Sequence, residues 1–173
     1  MTKSEAFLAQ AVSDFRVFEL LLRQNRDEVP GCHPGHFLQM SMEKLAKAAL
    51  QRAGHDPGNT HEAFSLLRYH LKRRDVARAL GYQNFSTFRD FLDRSAALFQ
   101  QIEALHPDVP RNAGGPNVEY PWEARGAGLA FAWQAPADQE FLILNELQTS
   151  SDGTQLIAMI PLLLERFDVV FPA

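Results

Sequence analysis

The stretch HFLQMSMEKLAKAALQRAGH, His36 to His55, limits what this chain can fold into more than any other. At about 100° per residue, Leu38, Met42, Leu45 and Ala49 fall in one narrow sector, with Ala46 beside it. A stripe of that width predicts a helix that buries one side against neighbours. Gln39, Glu43 and Lys47 fall on the other side, in the favourable Glu-to-Lys i, i+4 order, and are expected to face water. Met40 also projects to the solvent side. Lys44 points to the flank shared by Phe37 and Ala48, where its stem can follow apolar surface and its charge can reach a rim. Met40 and Lys44 are therefore the expected partner or dimer surface.

The same period recurs along the chain. Ser4 is the expected cap of a first helix running to about Gln24, with Leu8, Ala11, Phe15, Phe18 and Leu22 on one face. DEVPGCHPGH, with two prolines and two glycines, reads as the loop that stops it. After AGHDPGN, Thr60 is expected to cap a helix carrying Phe64, Leu67 and Leu71. The polar run KRRD follows, and helical spacing resumes at Val76, Ala77 and Leu80. A long helix opens at Asn84 or Ser86 and carries Phe88, Leu92, Ala96 and Phe99 until His106-Pro107 ends it. From about Asp108 to Pro136 the chain turns rich in Gly and Pro, with GLAFAWQ a short strand or extended segment. Helical spacing returns at Asp138 to Gln148. After SSDG it returns again, with Leu156, Ile160, Leu163 and Phe167 inward and Pro161 expected to kink the helix or delay its start. The fold class is all-α: a bundle of five to six helices with one irregular excursion near 108–136.

A chain of 173 residues suits one substantial core rather than two. One helical domain is expected, its bundle formed by about 4–106 plus 137–168. A formal charge of −4 argues against a protein that coats nucleic acid over its whole surface, though not against a local basic face. The lone cysteine, Cys32, cannot form an internal disulfide, which fits a reducing compartment. Gln10, Ser13 and Asp14 interrupt any signal-peptide core, and no stretch approaches the length of a membrane span. The expectation is a soluble, cytoplasmic protein without a membrane partner.

The long first helix, HFLQMSMEKLAKAAL as the second and THEAFSLLRYHL opening the third resemble the HEPN superfamily of small helical-bundle proteins. The resemblance covers roughly residues 4 to 106, and Glu43-Lys44-x-x-Lys47-Ala48 is its most characteristic element. It implies a homodimer or a cognate partner such as a nucleotidyltransferase, in a toxin–antitoxin or phage-defence module. It also implies binding of RNA or a nucleotide. Active members cut RNA without metal, using an Arg followed after four to six residues by a His in a late helix. This chain departs from that pattern. Its one match, Arg26 to His33, contains Pro30 and Gly31, and the expected late helix holds Arg89 and Arg94 with no histidine before His106. A binding member is the expectation, with a metal-independent endoribonuclease as an alternative; Arg26, His33 and, as an acid or base, Glu119 are the candidate catalytic residues.

Between Arg68 and Arg94 lie seven Arg or Lys against three Asp. Arg68, Lys72, Arg73, Arg74, Arg78, Arg89 and Arg94 are the candidate phosphate contacts. Within this run, DVARALGYQNFSTFRDFLDRS is similar to the helix-turn-helix of AraC-type regulators, with Gly81 at the turn and Ser86 opening the reading helix. Residues 75–95 thus carry an alternative function, duplex DNA binding, although that family uses two such units. A helical corner with a basic outer side is the other account of the same residues.

Two further clusters stand out. Cys32, His33 and His36 form CHPGH, whose sulfur and nitrogen donors suit zinc, but a closed site needs a fourth ligand and would have to borrow His55 or His61. No metal or cofactor is expected. In and around GGPNVEYPW, Glu119 could act as acid or base, Tyr120 and Trp122 could stack on a base, Arg111 or Arg125 could hold a phosphate, and Asn117 belongs to the same possible ligand loop. The same residues could instead staple the excursion to the bundle.

Overall fold

The computed structural model describes residues 1–24, 29, 31–57, 63–105, 122–124, 128–130 and 142–172. Helix α1 spans Lys3–Leu22 and opens on a reciprocal cap. Thr2 Oγ1 accepts from the Glu5 amide at 3.2 Å, and the Thr2 amide donates to Glu5 Oε2 at 2.6 Å. The cap is therefore Thr2 and not Ser4. Ser4 is buried instead, its hydroxyl donating across to the carbonyl of Ala48 at 2.9 Å.

Helix α2 spans Cys32–Arg52 and begins four residues before the expected start. Pro34 is its third residue, where an amide would have no partner inside the helix, so the ring costs nothing there. The helices α1 and α2 lie antiparallel. Ser41 Oγ donates to the carbonyl of Ala11 at 2.8 Å, mirroring the Ser4 bond. Small buried residues (Ser4, Ala11, Ser41 and Ala48) let the two backbones approach closely enough for a serine hydroxyl to span the gap. Leu38, Met42 and Leu45 are fully buried, and Ala49 nearly so, as their spacing predicts.

The opposite face of α2 corrects the sequence reading. Gln39, Glu43 and Lys47 are 2%, 3% and 7% exposed, so the polar stripe is buried and not solvated. Fourteen of the helix's residues are buried, which makes α2 a central element and not a wall of the bundle. Met40 is half-buried rather than on the solvent side.

The remaining helices are α3 Ala63–Leu71, α4 Arg74–Ala79, α5 Phe85–Arg94, α6 Ala96–Glu103, α7 Leu142–Thr149, α8 Ser151–Glu165 and α9 Phe167–Val170. Nine helices among the described residues exceed the expected five to six because the longer segments break. Arg73 is extended (φ −130°, ψ 147°) between α3 and α4. Ser95 divides the expected long helix into α5 and α6, and Arg166 separates α8 from α9. SSDG is not a gap: Ser150 caps α8 by accepting from the Gly153 amide at 2.9 Å, and Pro161 lies inside that helix. Strands β1 (Trp122–Ala124) and β2 (Gly128–Ala130) form one short antiparallel ladder with Glu123 opposite Leu129. The fold is all-α.

The core is rich in aromatic rings. Phe18, Phe64, Phe88, Phe91, Phe99 and Phe167 are fully buried, which accounts for nearly half of the 13 phenylalanines. Phe64 of α3 stacks on Phe99 of α6 with centroids 4.3 Å apart. Tyr82 packs on Phe88 at 4.5 Å and accepts at its hydroxyl from Gln155 Nε2, tying the α4–α5 turn to α8. Among the described residues no helix is long and apolar enough to cross a membrane.

At the α5–α6 break the Ser95 hydroxyl is fully buried with no hydrogen-bond partner among the described residues. A buried donor without a partner costs about 1–3 kcal/mol, part of which an apolar residue of similar size recovers. Ser95→Ala is therefore expected to leave stability unchanged or raise it by about 1 kcal/mol in a urea titration. A loss of that size would mean that the hydroxyl is bonded.

Candidate nucleic-acid interface

The seven cations singled out from the sequence come from α3, α4, α5 and the α3–α4 junction, and most of them are engaged. Arg68 donates to the carbonyl of Leu92 and to Asp93 Oδ1, both at 3.3 Å, and its side chain is 12% exposed. Lys72 donates to the same Asp93 oxygen, so one carboxylate of α5 bridges a cation of α3 and one of the α3–α4 junction. The hydrogen bond from Lys72, aided by the charges of Lys72, Arg68 and Arg89, holds Asp93 below the usual carboxylate range. Arg73 grips both oxygens of Asp75 and holds that carboxyl low in the same way. Arg94 pairs with both oxygens of Asp152 at 2.9 to 3.3 Å, which raises its own affinity for the proton. Arg89 is 3.9 Å from Asp90.

Arg74 and Arg78 are exposed and make no ion pair among the described residues. The Arg74 guanidinium lies 5.3 Å from the centre of the Phe85 ring. Exposed pairs such as Arg73–Asp75 and Arg89–Asp90 contribute little to stability, typically 0–1 kcal/mol, so an arriving phosphate can displace the carboxylate. The arrangement can therefore take polyanions. It sets seven cations against four carboxylates, one of which, Asp152, arrives from α8.

The α4–α5 corner has helix-turn-helix connectivity. Gly81 holds φ +88°, a left-handed turn that glycine adopts without steric cost, and Asn84 caps α5 by accepting from the amides of Ser86 and Thr87. Phe88, Phe91 and Leu92 are fully buried. The exposed side of α5 carries Ser86, Thr87, Arg89, Asp90, Asp93 and Arg94, two cations balanced by two carboxylates. That face is neutral where a groove-reading helix is usually basic.

A residue missed in the sequence completes the surface. Tyr69 is 60% exposed, with the Arg68 guanidinium 4.7 Å and the Lys72 ammonium 5.3 Å from its ring centre. Leu66, one turn before it, is 47% exposed. The signal was available: Leu66 and Tyr69 lie off the Phe64, Leu67, Leu71 stripe in a segment crowded with cations.

The other candidate residues are not brought together. Lys44 is turned onto Glu43 at 3.4 Å, with its side chain 19% exposed. Cys32 to His36 form the first turns of α2, where Cys32 is buried and His33 exposed, and burial raises the Cys32 thiol above its ordinary pKa. Among the described residues no three His, Cys, Asp or Glu side chains converge as a metal site. The His55 and His70 rings are 5.9 Å apart, and His70 titrates below its ordinary value because of burial, His55 and Arg73, in that order. Arg26, Arg111, Asn117, Glu119, Tyr120, Arg125 and His61 lie outside the described residues, and Trp122 is described only as a strand position. No family model, curated protein or solved structure matches this chain.

Proposed function

We propose that this chain is a HEPN-like binding protein that holds RNA on the face formed by α3, α4 and α5 without cutting it. The observation that carries the reading is that Arg73, Arg74, Arg78 and Arg89 are exposed and Lys72 partly so, with Asp93 of α5 tying Lys72 to Arg68. The antiparallel α1–α2 pair and the Glu43-Lys44-x-x-Lys47 element support the family resemblance. With that resemblance come a toxin–antitoxin or phage-defence setting and a homodimer or nucleotidyltransferase partner.

Charge reversal tests the face. Arg73→Glu with Arg74→Glu is expected to weaken RNA binding and to reduce the slope of log affinity against log salt by about 1.4, two phosphate contacts on a single strand. An unchanged affinity and slope would make the face an ordinary solvated surface.

A second reading, duplex DNA binding through residues 75–95, is favoured by the Gly81 turn and the capped start of α5 and opposed by the neutral outer side of α5. Competition between duplex and single strand in one buffer separates the two. Cleavage of RNA in the presence of chelator, lost in Arg26→Ala or His33→Ala, would instead establish a ribonuclease.

A further inference from the structure

We propose that Tyr69 is a stacking platform for an unpaired base, so that the nucleic acid taken by this face is single-stranded. The inference rests on the reading of the face as phosphate-binding and adds to it what part of the strand is recognised.

Tyr69 stabilises little by staying where it is, because 60% of it remains in water. Its neighbours nonetheless hold it in place. Arg68, which lies against the ring, is itself fixed by the carbonyl of Leu92 and by Asp93. Lys72, the second cation against the ring, is fixed by the same Asp93. The ring is therefore oriented by two immobilised cations before any ligand arrives, and little ordering is needed on binding. A base laid on an exposed ring buries apolar surface on both partners, and every base has a face that can do so. Its flanking phosphates would then lie over Arg73, whose partner Asp75 they can replace.

A duplex cannot use this arrangement, since its bases are stacked on one another inside the helix. Nor does the neighbouring α5 offer a basic edge to a groove, with Arg89 and Arg94 balanced by Asp90 and Asp93. An aromatic platform beside a strip of cations is the pattern by which single strands are held without strong sequence preference.

The test uses the full chain, a short fluorescein-labelled oligouridylate and an abasic strand of equal length, read by fluorescence anisotropy at low salt. The wild-type chain is expected to bind the base-bearing strand more tightly than the abasic one. Tyr69→Ala is expected to weaken oligouridylate binding by roughly 5- to 150-fold, the weight of one base–aromatic stack, and to leave the abasic strand unaffected. Tyr69→Phe should keep the affinity, and thermal unfolding of both variants should match the wild type because the side chain is exposed. If Tyr69→Ala binds oligouridylate as the wild type does while Arg73→Glu with Arg74→Glu weakens it, the stacking inference is overturned and the phosphate-binding face stands. If neither strand binds at low salt, the functional reading fails and takes the inference with it.

Discussion

Glu43→Ala is expected to lower stability by about 3–5 kcal/mol, the largest loss of any single change to a polar side chain described above. Glu43 is 3% exposed. Its Oε1 accepts from Lys47 at 2.8 Å and Lys44 at 3.4 Å, and its Oε2 accepts from Gln39 Nε2 at 2.9 Å. Truncation leaves the Lys47 ammonium, on a residue 7% exposed, without its nearest counter-charge. An ammonium held out of water without a partner is more costly than the pair it came from. The double change Glu43→Leu with Lys47→Leu removes both charges and is expected to be far milder, because an apolar pair of similar volume avoids desolvating either ion. Urea titration of the three chains checks both statements. A Glu43→Ala midpoint equal to the wild type would show that water reaches this pair.

Gly153→Ala should also destabilise the chain, by about 1–3 kcal/mol or somewhat more. A Cβ on Gly153 would stand 2.3 Å from the carbonyl oxygen of Glu146, 2.6 Å from the Cα of Leu147 and 2.7 Å from Ser150 Oγ. The first two contacts are backbone, and they can be relieved only by moving α7 away from the first turn of α8. Helix propensity acts in the opposite direction, since alanine is favoured over glycine by about 1 kcal/mol in an exposed helix. The clash outweighs that preference because the atoms met are not the free ends of side chains. A chain made more stable by this substitution would show that α7 does not pack on α8 at this point.

The two changes differ in how visible they are in the sequence. The i, i+4 arrangement of Gln39, Glu43 and Lys47 looks the same on a solvated face as on a buried one. Only the packing of α2 on other elements distinguishes them. Gly153 follows two serines and an aspartate, a composition that suits a loop as well as a capped first turn, and the close approach of α7 comes from a separate helix. Ser95 was hidden for a similar reason: Phe88, Leu92 and Phe99 keep helical spacing across it, and one residue with ψ near 0° interrupts the helix without disturbing the apolar pattern.

Of the candidate site, the cations were legible and their state was not. Charge density between Arg68 and Arg94 is a property of composition. That Asp93 bridges Arg68 and Lys72, or that Asp152 reaches Arg94 across 58 positions, depends on how α3, α5 and α8 meet. Tyr69 could have been found by asking which large side chain lay off the inward stripe. The loop reading of DEVPGCHPGH gave way at Cys32 for a local reason, because Pro34 is compatible with the third position of a helix and Gly31 can precede it. A pair of prolines and a pair of glycines therefore did not make the whole segment a loop.

The amino-acid sequence alone determined that the chain is helical and which sides of its helices carry the apolar stripes, since both follow from spacing within a few turns. Leu38, Met42, Leu45 and Ala49 needed no knowledge of their neighbours to be placed inward. Tertiary structure decided that α2 is enclosed, that Glu43 and Lys47 are paired out of water, and that Tyr69 stands open between two cations. Periodicity records which face of a helix prefers to leave water. What covers the remaining faces, and with what charge, is set by segments far away in the chain.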